Sequence, residues 1–212
     1  MLLTTRTKAI RHWTVFTVCS ILLIVVLAAC GGGSTASSTS TPTSTPTPKP
    51  TPSPTSPSNA QTYTGDGYTI DYPSGWQTTS PAAGQVIFAD PSSGAALRIN
   101  VVDDTGGQTA DAIVTATLQQ FQSQYTNFQH MTNVPASASV AGDTWSQGGA
   151  TYDVTQNGQT TTYQAVIQAD GHPANSSMPK GFLIIYAAPT QVFDQANNDD
   201  FQPMLQSFTF TS

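Results

Sequence analysis

Few residues in this chain have the types and spacing that chemistry demands. Past the N-terminal segment there are two histidines, His130 on an alternating stretch and His172 inside Asp170-Gly171-His172-Pro173. Each could take or give a proton with one of the aspartates, the arrangement an exported hydrolase would use. Neither lies in an H-x-x-x-H or comparable metal-ligand spacing. Asp103-Asp104 and Asn197-Asn198-Asp199-Asp200 offer oxygen ligands, but neither forms the D-x-[DN]-x-[DN]-G loop that holds calcium. The chain has no glutamate, no G-x-S-x-G elbow and no phosphate-cradling G-x-x-x-x-G-K-[ST] loop. The expectation is therefore a binding or scaffolding module with no catalytic residues, no metal ligands and no cofactor. A hydrolase using His130 or His172 with an aspartate is the alternative.

One cysteine does carry chemistry. Leu27-Ala28-Ala29-Cys30 closes an apolar run from Trp13 and is followed by Gly31-Gly32-Gly33. It resembles a bacterial lipobox, in which the thiol receives a diacylglycerol and the preceding segment is removed. Arg6, Lys8 and Arg11 supply the positive start of such a signal. Residues 1–29 are thus expected to be a signal peptide, and Cys30 the lipidated N-terminus of an extracytoplasmic protein on the outer face of the cell membrane. Cys19 falls inside the signal, so the mature chain keeps no free thiol for a disulfide or a nucleophile.

The elements around these residues divide by composition. Gly31 to Ala60 holds seven prolines and sixteen serines or threonines, a stretch with nothing to bury. With Cys30 it forms an expected disordered linker, 30–60. Its proline-rich part, Thr41 to Pro57, would span about 50 Å as polyproline II. Residues 61–212 suit one globular domain in size. All twelve acidic residues lie there and all are aspartate, against Arg98 and Lys180, leaving a net charge of −10. Such a surface repels phosphate backbones, which excludes nucleic acid as a partner. The partners expected are the membrane, through lipid on Cys30, and an envelope protein or small ligand.

Within the domain, periodicity places strands at 68–72, 86–89 and 97–101, the last two joined by the Asp90–Gly94 turn. Ile113, Val114, Thr117, Leu118, Phe121 and Tyr125 share one helical face, so a helix is expected over 109–125 with Thr109 as its cap. Alternation returns at 128–134. Asn157-Gly158 is a preferred type I′ pair, which sets Gln156 against Gln159 and Tyr152 against Tyr163. Phe182 to Tyr186 is apolar on both faces, as a strand covered on both sides would be. Thr190 is an expected helix cap, Asp199 or Asp200 another, with Pro203 near the start of the second turn. Phe208-Thr209-Phe210 closes the domain as a short strand. Trp76 and Trp145 are expected in the core or at corners, and are also candidates for contact with a partner.

Tyr68-Thr69-Ile70-Asp71-Tyr72-Pro73-Ser74-Gly75-Trp76 resembles the opening of PsbP-like domains, and Met204 to Phe210 is similar to their last helix and strand. PsbP is an extrinsic subunit of photosystem II whose fold is shared with a Ran-GTPase-binding import factor. The resemblance implies an α+β fold, an antiparallel sheet sandwiched between helices. It carries over no calcium or chloride ligands.

Overall fold

A computed structural model describes residues 59–211. The signal peptide expected over 1–29, Cys30 and nearly all of the linker expected over 30–60 lie outside the described residues.

The longest hairpin organises the rest. Asn157 and Gly158 both adopt positive φ, 51° and 79°, the pair of left-handed residues that a type I′ turn needs. That turn joins β8 (Asp143–Gln156) to β9 (Gln159–His172), with Gln156 against Gln159 and Tyr152 against Tyr163. β10 (Lys180–Pro189) lies antiparallel beside β9, and β5 (Ala96–Val102) beside β10. The sheet continues through β4 (Gln85–Ala89) to β3 (Gln77–Thr79) at one edge, and through β8 to β6 (Thr126–His130) at the other. β7 (Ser137–Val140) also pairs with β8. A second sheet has three strands, β1 (Ala60–Gly65), β2 (Tyr68–Pro73) and β11 (Thr209–Phe210).

β10 is the two-sided central strand that its sequence predicts. Phe182, Ile184 and Tyr186 point into the larger core cluster, while Leu183 and Ile185 belong to a smaller one on the opposite face. Helix α1 (Ala110–Gln124) covers that second face with Val114 and Leu118, and Thr109 caps it by accepting a hydrogen bond from the Ala112 N–H. Its approach is close. A Cβ on Gly148 of β8 would stand 2.9 Å from Leu118 Cδ1 and 3.1 Å from Val114 Cγ1, so glycine gives these two side chains room to seat on the strand.

The other face departs from the expected helical layer. It is shared between the small sheet, through Tyr68 and Ile70, and a helical tail made of α2 (Thr190–Ala196), a π-helical turn (Asn197–Phe201) and α3 (Gln202–Ser207). The architecture is antiparallel and α+β, but richer in strand than a sheet between two helical layers. Neither expected cap in the tail exists. Thr190 sends its hydroxyl to the Thr162 carbonyl, and the residue before α2 makes no side-chain cap. Asp199 and Asp200 sit inside the continuous helix, not at a break. Pro203 lacks an N–H, and the wider π turn ahead of it redirects the bonding, Gln202 N–H reaching Asn197 O.

The alternation at 128–134 also runs out early. β6 stops at His130, because beyond Gly149 the edge of β8 passes to β7. Residues 131–136 fold across the sheet instead, with Met131 N–H on the Gly149 carbonyl and Gln147 N–H on the Ala136 carbonyl.

Candidate functional site

Both tryptophans are core residues, the first of the two readings expected of them, and neither ring is exposed for the partner contact offered as the other. Trp145 is 0% exposed and packs on Phe208 and Phe210. Trp76 is 8% exposed; the Pro73–Trp76 turn swings it edge-on against Phe201 of the π turn. Rings this large are worth most when removed from water, and both lie beside other aromatic side chains.

The histidines part company. His130 is exposed on β6, and its contact among the described residues is the ring of Phe128. His172, at the end of β9, has its Nδ1 2.7 Å from Asp143 Oδ2 at the start of β8. The long hairpin brings them together, since continuing its register outward sets the first residue of β8 against the last of β9. Phe210 stacks flat on the imidazole, with ring centres 3.6 Å apart and planes 6° apart. Asp170, two residues back along β9 and so on the same face, is 8% exposed, and its Oδ2 has no hydrogen-bond partner among the described residues. Burial pushes this carboxyl above its ordinary value and the nearby Asp143 charge adds to that, against the pull of the Gly171 N–H and of His172. No hydroxyl is hydrogen-bonded to His172 or Asp143 among the described residues.

Asp103 reaches Lys180 at 3.6 Å, and Asp104 accepts from the Gly106 N–H. Asp199 and Asp200 remain on the tail, where burial first, then Asp90 and Asp199, raises the Asp200 carboxyl. Among the described residues these acidic pairs gather no third ligand, whereas Asp143, Asp170 and His172 do.

One row further along the same face opens a cleft of about 430 Å³. Its floor is β8 and β9, one wall is the 131–141 segment, and the other is the helical tail. The lining is rich in side-chain amides: Gln147, Gln164 and Gln168 from the sheet, and Asn197, Gln202 and Gln206 from the tail. Several are held by one another. Gln168 Nε2 donates to Gln147 Oε1 at 2.6 Å, Gln147 Nε2 to the Pro135 carbonyl, and Gln202 Nε2 to Asn197 Oδ1. Gln168 Oε1 is buried without a partner among the described residues. Among the described residues Asp194 is the one charged side chain in the lining, and Val166, Tyr186, Phe193 and Leu205 give the cleft an apolar base. Burial pushes the Tyr186 phenol up to about 12, with Gln202 opposing the shift, so it stays a neutral donor. Of these amides only Asn197 stands out in the sequence, as an oxygen ligand in the Asn197–Asp200 run and not as part of a cleft. The alternation of Gln164 and Gln168 along β9 was the available signal, but the tail residues meet them only through long-range packing.

The sequence matches no curated protein. Among solved structures the chain is similar to LpqN of Mycobacterium tuberculosis, described as involved in cell envelope biogenesis, at 16% identity and a TM-score of 0.45, over 73% of this chain and 91% of that one. It is similar also to the Ran-binding protein Mog1p of Saccharomyces cerevisiae, at 10% identity and a TM-score of 0.46, over 72% and 95%. A Bacteroides thetaiotaomicron protein aligns at 11% identity and a TM-score of 0.40, over 68% of this chain, which spans 45% of that protein's length. The family profile named DcrB matches residues 68–207, most of the described domain from β2 to the end of α3, and the chain belongs to the DcrB family.

Proposed function

We propose that this DcrB-family protein is an extracytoplasmic lipoprotein whose domain binds a neutral, hydroxyl-rich ligand, an uncharged glycan segment, in the amide-lined cleft. The lining carries the reading. Each side-chain amide offers two donors and an acceptor in one plane, a match for neighbouring hydroxyls. Among the described residues no lysine, arginine or histidine lines the cleft, so they offer no cation to hold a carboxylate or phosphate. The unpartnered Gln168 Oε1 adds an acceptor that a bound hydroxyl would satisfy. The anchor would be lipid on Cys30, set by the Leu27–Cys30 sequence, with the Ser/Thr/Pro-rich linker holding the domain clear of the membrane. The Pro73–Trp76 corner and the closing α3–β11 segment support reading the fold as PsbP-like.

A glycan array tests the ligand class. The protein should retain uncharged oligosaccharides over sialylated or sulfated ones, and Gln168→Leu should lose the retained set. Retention of anionic glycans alone overturns the reading. Mass spectrometry of the membrane fraction tests the anchor: an acylated Cys30 and no peptide from 1–29 are expected, and an intact N-terminus contradicts it.

The His172–Asp143 hydrogen bond favours the second reading, an exported hydrolase. Turnover of generic ester, phosphate or peptide substrates that disappears in His172→Ala would establish it in place of the binding module.

A further inference from the structure

We infer that Asp143, Asp170 and His172 form a binding site for one divalent transition cation of the zinc type. The three residues each offer a ligand atom, and these atoms lie within 4.8 Å of one another. Two donors about 2.1 Å from a shared zinc ion stand roughly 3.4 Å apart in a tetrahedron. His172 and Asp143, held at 2.7 Å by their hydrogen bond, need to part by only about 0.7 Å to reach that spacing. The third ligand supplies the independent observation. Asp170 is 8% exposed, and its Oδ2 is buried with no partner among the described residues. A buried carboxylate oxygen left unpaired is costly, and a cation beside it removes the cost.

The surroundings hold the set in place. Asp143 and Asp170 come from two antiparallel strands whose register the type I′ turn fixes, so the ligands converge on rigid elements. Phe210 clamps the imidazole plane by stacking on it. The nearest cationic neighbour by register, Lys180 opposite His172, is drawn off by Asp66 at 2.7 Å and by Asp103. One imidazole and two carboxylates suit zinc better than calcium, which takes six to eight oxygens. Three protein ligands leave a fourth position for water or a ligand atom.

The full chain in detergent, stripped with a chelator, is titrated with Zn2+ by calorimetry and with Co2+ by visible absorption. One ion per chain is expected, with the intense d–d bands of four-coordinate cobalt. His172→Ala and Asp170→Asn should each weaken binding at least tenfold, and His130→Ala should leave it unchanged. Saturating Zn2+, at about a hundred times its dissociation constant, should raise the melting temperature by about 5–10 °C. Stripped Asp170→Asn should melt at or above the stripped wild type, because the amide carries no buried charge, yet gain nothing from Zn2+. That crossing separates loss of the site from loss of the fold. Absence of Zn2+ binding by the wild type, or binding that survives both ligand substitutions, overturns the inference.

Discussion

Ile184 and Ile185 sit side by side on β10 and point into different cores, so truncating each reads one face of the sheet. Ile184 is 0% exposed, lies between Ile99 and Gln168 in register, and belongs to the cluster with Phe182 and Tyr186. Replacing it with Ala removes three carbons, about 2.4 kcal/mol of transfer free energy at roughly 0.8 kcal/mol per carbon. The neighbours are strand residues that cannot close in, so a cavity term of about 1.6 kcal/mol is added, for a total of about 4 kcal/mol. Ile185 is 8% exposed and packs against Val114 of α1 in the smaller cluster. A helix held by fewer contacts relaxes more readily, and about 2–3 kcal/mol is expected. Urea denaturation followed by tryptophan fluorescence measures both, and melting should fall by roughly 2–4 °C per kcal/mol. The cavities open in separate clusters, so the double variant should come close to the sum. Ile185→Ala within 0.5 kcal/mol of wild type would mean that α1 does not cover this face, and the two-sided packing argument fails.

The hairpin turn gives a second expectation: Gly158→Val, at φ 79°, should cost about 1–2 kcal/mol and leave the fold intact. Asp200 gives a pH-dependent one. Its carboxyl is raised above 3.8 by burial and then by Asp90 and Asp199. A raised carboxyl favours folding while both states are protonated, below pH 3.8, and that advantage is lost as pH rises through the folded value. Asp200→Asn should therefore be more stable than wild type at pH 7 and indistinguishable from it near pH 3, by thermal melts across that range; an equal gain at both ends contradicts the cause given.

Sequence signals were sufficient wherever they were local. The periodic face of α1, its Thr109 cap, the Asn157-Gly158 register and the two-faced β10 all follow from residues adjacent in the chain. β1, β3 and β7 escaped because they are short, largely exposed and carry little apolar alternation. The helical tail was misread as two capped pieces because an Asn-Asn-Asp-Asp run before a proline ordinarily marks a break, whereas here Phe201 anchors the turn in the core at 0% exposure. The acid–histidine cluster was nearly within reach. The predicted hairpin register, carried thirteen steps out from Gln156, puts Asp143 opposite His172. The cleft was not reachable, since its amides come from β8, β9, and a tail more than twenty residues further on.

The binding claim rests on the cleft's side-chain amides, and NMR observes those groups directly. On titration with an uncharged oligosaccharide retained by the protein, the NH2 resonances of Gln147, Gln164 and Gln168 should shift together and saturate at one ligand per chain. Gln168→Leu should abolish the saturation without changing the backbone spectrum of the α1 face. Shifts confined to residues outside the cleft, with these three amides unmoved at saturation, would contradict the account.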